Sequence, residues 1–421
     1  MTGSLVNNIG DGDIKIGNHQ EKKESSLTNW DDYQDRDANQ IWLMRMHKKY
    51  YFNFFSNVVL PKEIDQHEFG FRQFDGKMYR HILFGNSREL NVAIMKFNPS
   101  DIYCSSSLYT NPAEPMERKE WKGSELIFDI DGKDLKLDCT RTHNYVKCKE
   151  CNFINKGIDS KCSNCNSLHL NVVDLPCKKC ILALKKEVIK LKEILTIDLG
   201  INENDILVYF SGNNGFHIHV GDKNYYDLSS TERSEIAGYL LCKGFRIETL
   251  GIRKNSENKY IPLSNNKNYI NVGWRNRILK KTKISASISN EKFAQQVRSL
   301  EDSQKLNFHD IVSNAISDLS VKIDPVVTMD IHRIFRLGGT LNSKSGLAKA
   351  PCPKLDSFDP FKDACFLDIS SGISINSKID DTFAFNGKRY NINKGKNEVS
   401  ENVAIYLISK GLAEIDERSL D

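Results

Sequence analysis

Two aspartates, Asp129 and Asp131, stand at the end of the apolar run LIFDID, directly before a glycine. The run predicts a β-strand that leads into a turn, because its Leu, Ile and Phe residues favour strands and Asp-Gly favours turns. Side chains two apart share one face of a strand, so the carboxylates should lie side by side while Phe128 and Ile130 face the core. A divalent cation such as Mg²⁺ or Mn²⁺ would relieve their repulsion. The alternative is an ordinary acidic strand end at the surface.

A cysteine-rich segment follows over residues 139–180. Its inner part has the spacing C-x2-C-x10-C-x2-C, which predicts a zinc ribbon with four thiolate ligands. These ligands would be Cys148, Cys151, Cys162 and Cys165. The flanking residues could form a second, Cys3His zinc site, although His169 could compete for it or the outer pair could bind nothing. The residues of that outer site would be Cys139, His143, Cys177 and Cys180. Six of the eleven cysteines lie in Cys-x-x-Cys pairs, which favours zinc over disulfides in a reducing compartment.

The segment ILVYFSGNNGFHIHV predicts a β-hairpin, because its Asn-Asn-Gly turn accommodates positive φ angles. His217 and His219 would share one face of the second strand, opposite the apolar residues. Ser211, Gly212 and the backbone N–H groups of the turn could cradle a phosphate. Each histidine could equally be an ordinary strand residue.

Asp324 opens the stretch DPVVTMDIHRIFRLGGTLNSKSGL. Residues 330–337 are predicted to be helical, which would place Arg333 and Arg336 on one face. Two arginines before a glycine-rich turn suit a triphosphate, but they could equally form structural ion pairs.

The elements that would position these residues are both helices and strands. Strands are predicted over 67–74 and 78–84, so that Glu68 and Arg80 could point into one cleft. Helices are predicted in the following ranges: 38–58, 181–195, two within 289–319, and an amphipathic one over 401–415 closed by Gly411. The basic run over 275–283 would be a solvated face or would touch a nucleic-acid backbone.

Composition sets broad limits on this chain of 421 residues. Hydrophobic residues make up 39% and charged residues 27%, values ordinary for a soluble globular protein, and the net charge of +4 neither requires nor excludes a nucleic-acid partner. No apolar run approaches the roughly 20 residues that span a bilayer, and the N-terminus lacks a signal-peptide core. We therefore expect no membrane contact and a location inside the cell, in the cytoplasm or nucleoid.

Taken together, the motifs resemble the small, catalytic subunit of the archaeal and eukaryotic type of DNA primase. The resemblance runs from about Tyr50 to Glu414 and rests on motifs in one order: HEFGF with YRHILF, LIFDID, CKKCILALK, FSGNNGFHIHV, IDPVVTMDIHRIFRLGGTLNSKSGL and YLISKGLAE. It implies a mixed α/β (α+β) catalytic domain around a largely antiparallel sheet, with an inserted zinc-binding module and a helical insertion.

The implied organisation has six parts. They are a disordered polar tail (1–38), the first part of the catalytic domain (39–138), a zinc module (139–180) with the inserted ribbon (148–165), the second catalytic part (181–260), a basic and helical insertion (261–320), and the last catalytic part with the C-terminal helix (321–421).

The resemblance also implies roles for single residues. The metal-binding carboxylates would be Asp129, Asp131 and Asp324. The nucleotide-binding residues would be Glu68, Arg80, Ser211, His217, Arg333, Arg336 and Asn342. The family's single zinc site matches the outer cysteine–histidine set, so the inner ribbon would be an additional module. The chain departs from the family pattern at Asn214 (usually Arg), Asn342 (usually His), Gly338 (usually Pro) and His67 (usually Arg).

The implied activity is template-directed synthesis of short RNA primers on single-stranded DNA from nucleoside triphosphates, by nucleotidyl transfer with two Mg²⁺ or Mn²⁺ ions, beside structural zinc. Relatives work with a large primase subunit, so a heterodimer is expected. Two alternatives remain: a repair or translesion polymerase of the same superfamily, and an inactive zinc-containing subunit that only binds nucleic acid.

Overall fold

The computed structural model describes residues 37–256, 260–262, 272–285, 289–367, 372–416 and 418. The tail predicted over 1–38 lies outside these residues, apart from Asp37 and Ala38, which begin the first helix. The insertion predicted over 261–320 is described only in part.

The described helices are numbered in chain order. They are α1 (Ala38–Phe54), α2 (Ser87–Phe97), α3 (Thr140–His143), α4 (Lys178–Ile197), α5 (Ser230–Leu240), α6 (Gly273–Thr282), α7 (Asn290–Gln304), α8 (Phe308–Leu319), α9 (Pro325–Met329), α10 (Pro360–Asp363) and α11 (Glu401–Ser409).

The described strands fall before and after the cysteine-rich segment as well as within it. They are β1 (His67–Arg72), β2 (Met78–Ile82), β3 (Asp101–Tyr109), β4 (Trp121–Ser124), β5 (Leu126–Asp131), β6 (Tyr145–Cys148), β7 (Ile154–Lys156), β8 (Leu170–Val173), β9 (Ile206–Phe210), β10 (Gly215–Val220), β11 (Ile252–Lys254), β12 (Tyr260–Pro262), β13 (Ile334–Arg336), β14 (Ala350–Pro351), β15 (Gly372–Ser377), β16 (Asp381–Phe385), β17 (Lys388–Ile392), β18 (Gly395–Ser400) and β19 (Ala413–Ile415).

Two antiparallel sheets carry the residues singled out by the sequence. The first has the order β13-β3-β1-β2, with β4 also paired to β3, and the second has the order β14-β9-β10-β5. The cysteine-rich segment forms its own small sheet, β7-β6-β8, and three further small sheets are described: β11-β12, β18-β15-β19 and β16-β17. The expected mixed fold with largely antiparallel sheets is confirmed.

The second sheet is buried on one face and partly open on the other. Its inner face presents Phe128 and Ile130 from β5 and the apolar residues of β10, all fully buried. Helix α4 packs beneath β5 and β10 through its apolar stripe, which includes Leu184, Val188 and Leu191. The other face of β5 meets the first sheet, because Ile127 clusters with Val327 of α9 and Phe335 of β13. The first sheet therefore lies against the open face of β5.

Most predicted elements are present. Strands β1 and β2, the β9–β10 hairpin, α4, α7 and α8 all lie where the sequence predicts them. The basic run is less solvated than expected, because α6 buries Arg275, Ile278 and Leu279. Among the described residues, no helix has the length and apolar character needed to cross a membrane.

Two predictions were wrong. Residues 330–337 do not form a helix, because Ile334–Arg336 pairs with β3 as strand β13. The C-terminal helix is not amphipathic and is shorter than predicted: residues 401–408 are all buried among α1, β15 and β18. The chain then turns through Gly411, at φ 70°, into strand β19.

Candidate active site

Strand β5 presents both predicted carboxylates on its open face. Residues of β5 alternate at its end, so that Phe128 and Ile130 are buried while Asp129 and Asp131 are partly exposed. The backbone N–H of Lys133 donates to Oδ1 of Asp131 at 3.0 Å, which closes the turn after the strand. The predicted strand and turn are confirmed.

The third carboxylate is tied to the same strand through the backbone. The N–H of Asp324 donates to the carbonyl oxygen of Asp129 at 3.1 Å. Asp324 is also the N-cap of α9, where its Oδ1 accepts from the N–H of Val326 at 3.0 Å. A cap of this kind fixes the carboxylate at the helix start, and Pro325 in the first turn reinforces it.

The carboxylates are only partly offset by positive charge, although Nζ of Lys133 lies 3.5 Å from Oδ2 of Asp131. Burial, with the charge of Asp131 adding to it, raises the pKa of Asp129 to about 7, although Lys133 and Arg333 oppose this. The three groups are also more widely spaced than a closed metal site, since only the two cysteine clusters in the described part of the chain bring all their ligand atoms within 4.8 Å. A site of this kind favours a cation from outside the chain.

His217 lies directly across the ladder from Asp129 on the neighbouring strand β10. Its Nε2 is 3.7 Å from Oδ1 of Asp129, and its ring packs edge-on against Phe335. Burial, together with the positive charge of Lys349, holds the pKa of His217 well below its usual value, so the imidazole is neutral at pH 7. Its buried Nδ1 has no hydrogen-bond partner among the described residues.

The second histidine of β10 belongs to a buried network beneath the site. His219 Nδ1 is 2.8 Å from Oε2 of Glu125, and its Nε2 is 3.0 Å from Nζ of Lys349. Burial lowers the pKa of Lys349 to about 7. His219 therefore has a structural environment that differs from that of His217, although both share one face of β10.

The turn between β9 and β10 lies against the end of β5. The N–H of Gly132 donates to the carbonyl oxygen of Asn214 at 2.8 Å. Ser211 lies at the start of this turn, and Asn342 packs beside it, with its Nδ2 3.4 Å from the carbonyl oxygen of Ser211. Asn342 is buried and its Oδ1 accepts from the N–H of Lys344, so its side chain braces the turn.

Glu68 and Arg80 face each other on β1 and β2, as the strand pattern predicts. Glu68 is 0% exposed and binds Arg80 through both carboxylate oxygens, at 2.8 and 3.1 Å, while Lys119 lies 3.2 Å from Oε2. Burial alone would raise the pKa of Glu68, but Arg80 and Lys119 hold it below its usual value. Glu68 therefore bonds Arg80, Lys119 and the N–H of His81 within the protein, and its contact with a nucleotide stays a prediction.

Arg333 and Arg336 point to different environments, because the segment is a turn and strand rather than a helix. The Arg336 side chain is 10% exposed and binds the buried carboxylate of Asp101 at 2.5 Å and the carbonyl oxygen of Leu341 at 2.7 Å. Arg333 instead lies over the ring of Phe335, near enough to Asp129 to favour its ionised form. The sequence left open whether these arginines bind a triphosphate or form structural ion pairs, and Arg336 forms a structural ion pair.

The outer cysteine–histidine cluster is assembled by two helices and the residues that cap them. Cys139 directly precedes α3 and His143 ends it, whereas Cys177 directly precedes α4 and Cys180 lies in its first turn. Sγ of Cys180 lies 3.6 Å from Sγ of Cys139, 3.8 Å from Sγ of Cys177 and 3.3 Å from Nε2 of His143. His169 is exposed and paired with Glu150, so it does not compete for this cluster.

The inner cluster belongs to the small sheet. Sγ of Cys148 lies 3.5 Å from that of Cys165, and Sγ of Cys151 lies 3.6 Å from that of Cys162. Zn–S bonds of about 2.3 Å in a tetrahedron place two sulfurs about 3.8 Å apart. In each cluster the four ligand atoms lie within 4.8 Å of one another, so both clusters could hold zinc.

Comparison with known proteins places these features in a family. The family described as DNA primase small subunit matches residues 172–352. The DNA primase small subunit PriS of Nitrosopumilus maritimus is 40% identical over 370 residues, which is 87% of this chain and 96% of that protein. The chain belongs to the DNA primase small subunit family.

Further relatives in this primase family align over similar lengths. The small subunit PriS of Cenarchaeum symbiosum is 37% identical over 89% of this chain and 98% of its own length. That of Archaeoglobus fulgidus is 30% identical over 90% of this chain and 99% of its own length.

Among solved structures, the polymerase domain of Mycobacterium tuberculosis ligase D, solved in complex with DNA, aligns over 76% of this chain and 82% of that chain, at 10% identity and a TM-score of 0.29.

Sequence reasoning missed several charged residues around this primase-family site. Asp101 is buried and holds both Arg336 and the N–H and hydroxyl of Ser343. Lys349 is buried beneath the histidines. A lysine inside the apolar run LAKAP is a visible signal for the second residue. Asp101 has no comparable signal, because Arg336 and Ser343 lie more than 230 positions away from it.

Proposed function

We propose that this chain is the catalytic subunit of a DNA primase and makes short RNA primers on single-stranded DNA from nucleoside triphosphates. The observation that carries the proposal is the convergence of Asp129, Asp131 and Asp324 beside the neutral His217, in a chain that belongs to the primase small subunit family. Family membership supports a nucleotidyltransferase, and the carboxylates supply the chemistry that such an enzyme needs.

Asp129, Asp131 and Asp324 would hold the reaction metals, Mg²⁺ or Mn²⁺. The raised pKa of Asp129 fits this role, because a carboxyl that is costly to ionise alone becomes favourable beside a cation. When bound, such ions lower the pKa of an attacking hydroxyl and neutralise charge on a triphosphate. The hydrogen bond from the N–H of Asp324 to Asp129 keeps the carboxylates in register.

His217 and the turn at Ser211 would position the triphosphate. A neutral imidazole can donate a hydrogen bond to a phosphate oxygen without competing with the metals for the carboxylates. Nδ1 of His217 has no hydrogen-bond partner among the described residues, so a ligand could supply one. Asn342 would act by bracing the turn, since its side chain already bonds Ser211 and Lys344.

Two arginines would balance the remaining phosphate charge. Arg333 has no carboxylate within ion-pair distance in the described ranges and lies near Asp129. Arg80 is about one third exposed and is oriented by Glu68. Arg336 would act indirectly, because Asp101 and Leu341 hold its guanidinium and thereby fix the loop that contains Asn342.

We also propose that both cysteine clusters bind zinc, at two ions per chain. Four ligand atoms at near-tetrahedral separations, contributed by residues that are all free thiols or imidazole, match structural zinc. The outer cluster would anchor α4 beneath the catalytic sheet, whereas the inner cluster would fold the ribbon. The domain boundaries predicted from the sequence stay predictions, and we include them in this proposal.

The proposed partners are a single-stranded DNA template, nucleoside triphosphates and a large primase subunit that helps to start the primer. Replication takes place on DNA within the cell, so an intracellular location accompanies the proposal.

The test is RNA synthesis on single-stranded DNA from ribonucleotides with Mg²⁺ or Mn²⁺, with and without a supplied primer and with and without the large subunit. Products that start without a primer, alone or with the large subunit, would support a primase. Extension of a supplied primer without initiation under any condition would favour a repair or translesion polymerase. No incorporation under any condition would favour a binding subunit.

A further inference from the structure

A lysine from the C-terminal helix reaches the turn between β9 and β10. Lys410 directly follows α11, and its Nζ donates to Oδ1 of Asn213 at 2.6 Å. Because α11 is buried along its length, the helix end that carries Lys410 has little freedom to move away. The amine is therefore held beside the turn that the proposed function assigns to the triphosphate.

The charge of Lys410 is not matched by a carboxylate. Within the described ranges no carboxylate oxygen lies within 4.0 Å of its Nζ, and its other close contact is the ring of Tyr406, 5.6 Å away. Burial lowers the pKa of Lys410 to about 8, with the charge of Lys344 adding to this and Asp174 opposing it. A partly buried amine that is short of negative charge favours the arrival of an anion.

The turn itself offers donors. The backbone N–H groups of Gly212, Asn213 and Asn214 donate to no acceptor among the residues that the structure describes. Gly212 has a φ of 87°, and a side chain there would meet Asn342 at 3.0 Å and the carbonyl oxygen of Leu347 at 3.1 Å. Free N–H groups in a tight turn beside a lysine form an anion-binding concavity.

This turn lies next to the carboxylates. Gly132 follows Asp131, and its N–H bonds the carbonyl oxygen of Asn214 at 2.8 Å. A Cβ at Gly132 would lie 2.5 Å from Nδ2 of Asn214, so the turn and the end of β5 are in direct contact. An anion bound at the turn would therefore lie close to the carboxylate site. A phosphate chain is long enough to extend from the turn toward the carboxylates, whereas a single small anion is not.

We propose that Lys410 binds the triphosphate of the incoming nucleotide through a charge-assisted hydrogen bond. This inference rests on the proposed function and adds a binding residue to the same site. The C-terminal helix then contributes directly to substrate affinity as well as to the core. The contact with Asn213 holds the amine in place when no nucleotide is bound.

The experiment measures extension of a supplied primer on single-stranded DNA by the full chain with Mg²⁺. Lys410→Gln keeps a hydrogen-bond donor and removes the charge, Lys410→Arg keeps the charge, and Asn213→Ala removes the existing contact but leaves the lysine. Lys122→Met is the matched control, because Lys122 also donates to a single amide oxygen, that of Gln66, and lies on β4. Lys410→Met serves as a second neutral variant, and zinc content with thermal unfolding checks the fold of each protein.

Lys410→Gln should raise KM for the nucleotide about 10-fold or more, because the variant loses the ionic part of a charge-assisted hydrogen bond. The value of kcat should change less than about threefold, and Lys410→Arg should restore KM to within about threefold. Inorganic tripolyphosphate, used as a competitive inhibitor, should bind Lys410→Gln about 10-fold more weakly. Asn213→Ala should raise KM less than Lys410→Gln does, because the charge of the lysine remains, whereas Lys122→Met should leave both values near those of the unaltered chain.

Unchanged KM and unchanged tripolyphosphate inhibition in both neutral variants would overturn the assignment. Equal effects of Asn213→Ala and Lys410→Gln would also overturn it, because the contact and not the charge would then matter. If the unaltered chain incorporates no nucleotide, the proposed function fails, and calorimetry with tripolyphosphate then decides on Lys410 alone. A loss of binding in Lys410→Gln would retain the anion site, and equal binding would reject it.

Discussion

The carboxylate site and the cysteine clusters both gather groups that bind cations, yet they are assembled in opposite ways. Each cysteine cluster brings four ligand atoms within 4.8 Å of one another. Asp129, Asp131 and Asp324 stay further apart, and two of them are held by their own backbone, through the turn at Lys133 and the cap at Val326. Thiols are neutral when protonated and can converge, whereas carboxylates repel. The close ligand spacing of the cysteine clusters suits a permanently bound metal, whereas the wider spacing of the carboxylates suits a site that is open to substrate.

The sharpest test of this contrast removes one carboxylate. Asp131→Asn should reduce primer extension by about 1,000-fold or more, because metal-assisted charge neutralisation contributes several kcal/mol to nucleotidyl transfer. Asp134→Asn, which changes an exposed aspartate three positions along the chain, is the matched control. Extension rates at saturating nucleotide measure the effect. Both variants should keep two zinc ions per chain, and substantial activity in Asp131→Asn would reject the metal assignment.

The two cysteine clusters should differ from each other in their effect on stability. Cys180→Ser should lower the free energy of unfolding by about 3 kcal/mol or more, because the outer cluster fixes the start of α4 beneath β5 and β10. Cys162→Ser should unfold only the ribbon and leave the main thermal transition in place. Each variant should lose one zinc ion, measured by elemental analysis. Equal destabilisation by the two variants would remove the distinction between an anchoring site and a local one.

The two arginines near the carboxylates should separate binding from stability. Arg333→Ala should raise KM for the nucleotide about 10-fold with little change in unfolding, since its guanidinium has no carboxylate partner in the described part of the chain. Arg336→Ala should lower the free energy of unfolding by about 3 kcal/mol, because it leaves the buried Asp101 unpaired. Steady-state kinetics and urea unfolding of both variants measure the two effects. A large loss of stability in Arg333→Ala and a raised KM without loss of stability in Arg336→Ala would contradict the side-chain orientations of these two arginines.

The smallest expected effect is the pH dependence of stability without added Mg²⁺. Because the folded-state pKa of Asp129 is raised from about 3.8 to about 7, its stabilising contribution is complete at low pH and is lost as pH rises through that window. Relative to Asp129→Asn, the unaltered chain should lose on the order of 2 kcal/mol between pH 4 and pH 6. Urea unfolding without chelators, which would strip zinc, measures the difference. Added Mg²⁺ should reduce the stability difference between the two proteins at pH 8. A stability difference that does not vary with pH would contradict the proposal that negative charge is crowded around Asp129.

Local patterns were enough to predict the parts of the site that lie on one element. Asp129 and Asp131 alternate with buried residues, so their strand follows from period-two spacing, and the cysteine spacing predicts both clusters. Residues 330–337 show where this fails. Arginines three apart fit a helix, but pairing of Ile334–Arg336 with β3, more than 220 positions earlier, outweighs that local preference.

Long-range pairing also explains the residues that sequence reasoning missed. Asp101, Lys349 and Lys410 acquire their roles from partners on other elements: Arg336, His219 and Asn213. None of these pairs is separated by fewer than 130 positions, so no window of sequence contains both members. Glu68 illustrates the same limit, because its strand was predicted but its complete burial against Arg80 and Lys119 was not.

The most direct test is RNA synthesis from ribonucleotides on single-stranded DNA by the unaltered chain and by Asp129→Ala/Asp131→Ala, both with the large subunit and both with zinc content determined. We expect primers from the unaltered chain, none from the double variant, and two zinc ions per chain in each. Primers of equal yield from the double variant, with its zinc intact, would show that synthesis does not depend on this carboxylate pair.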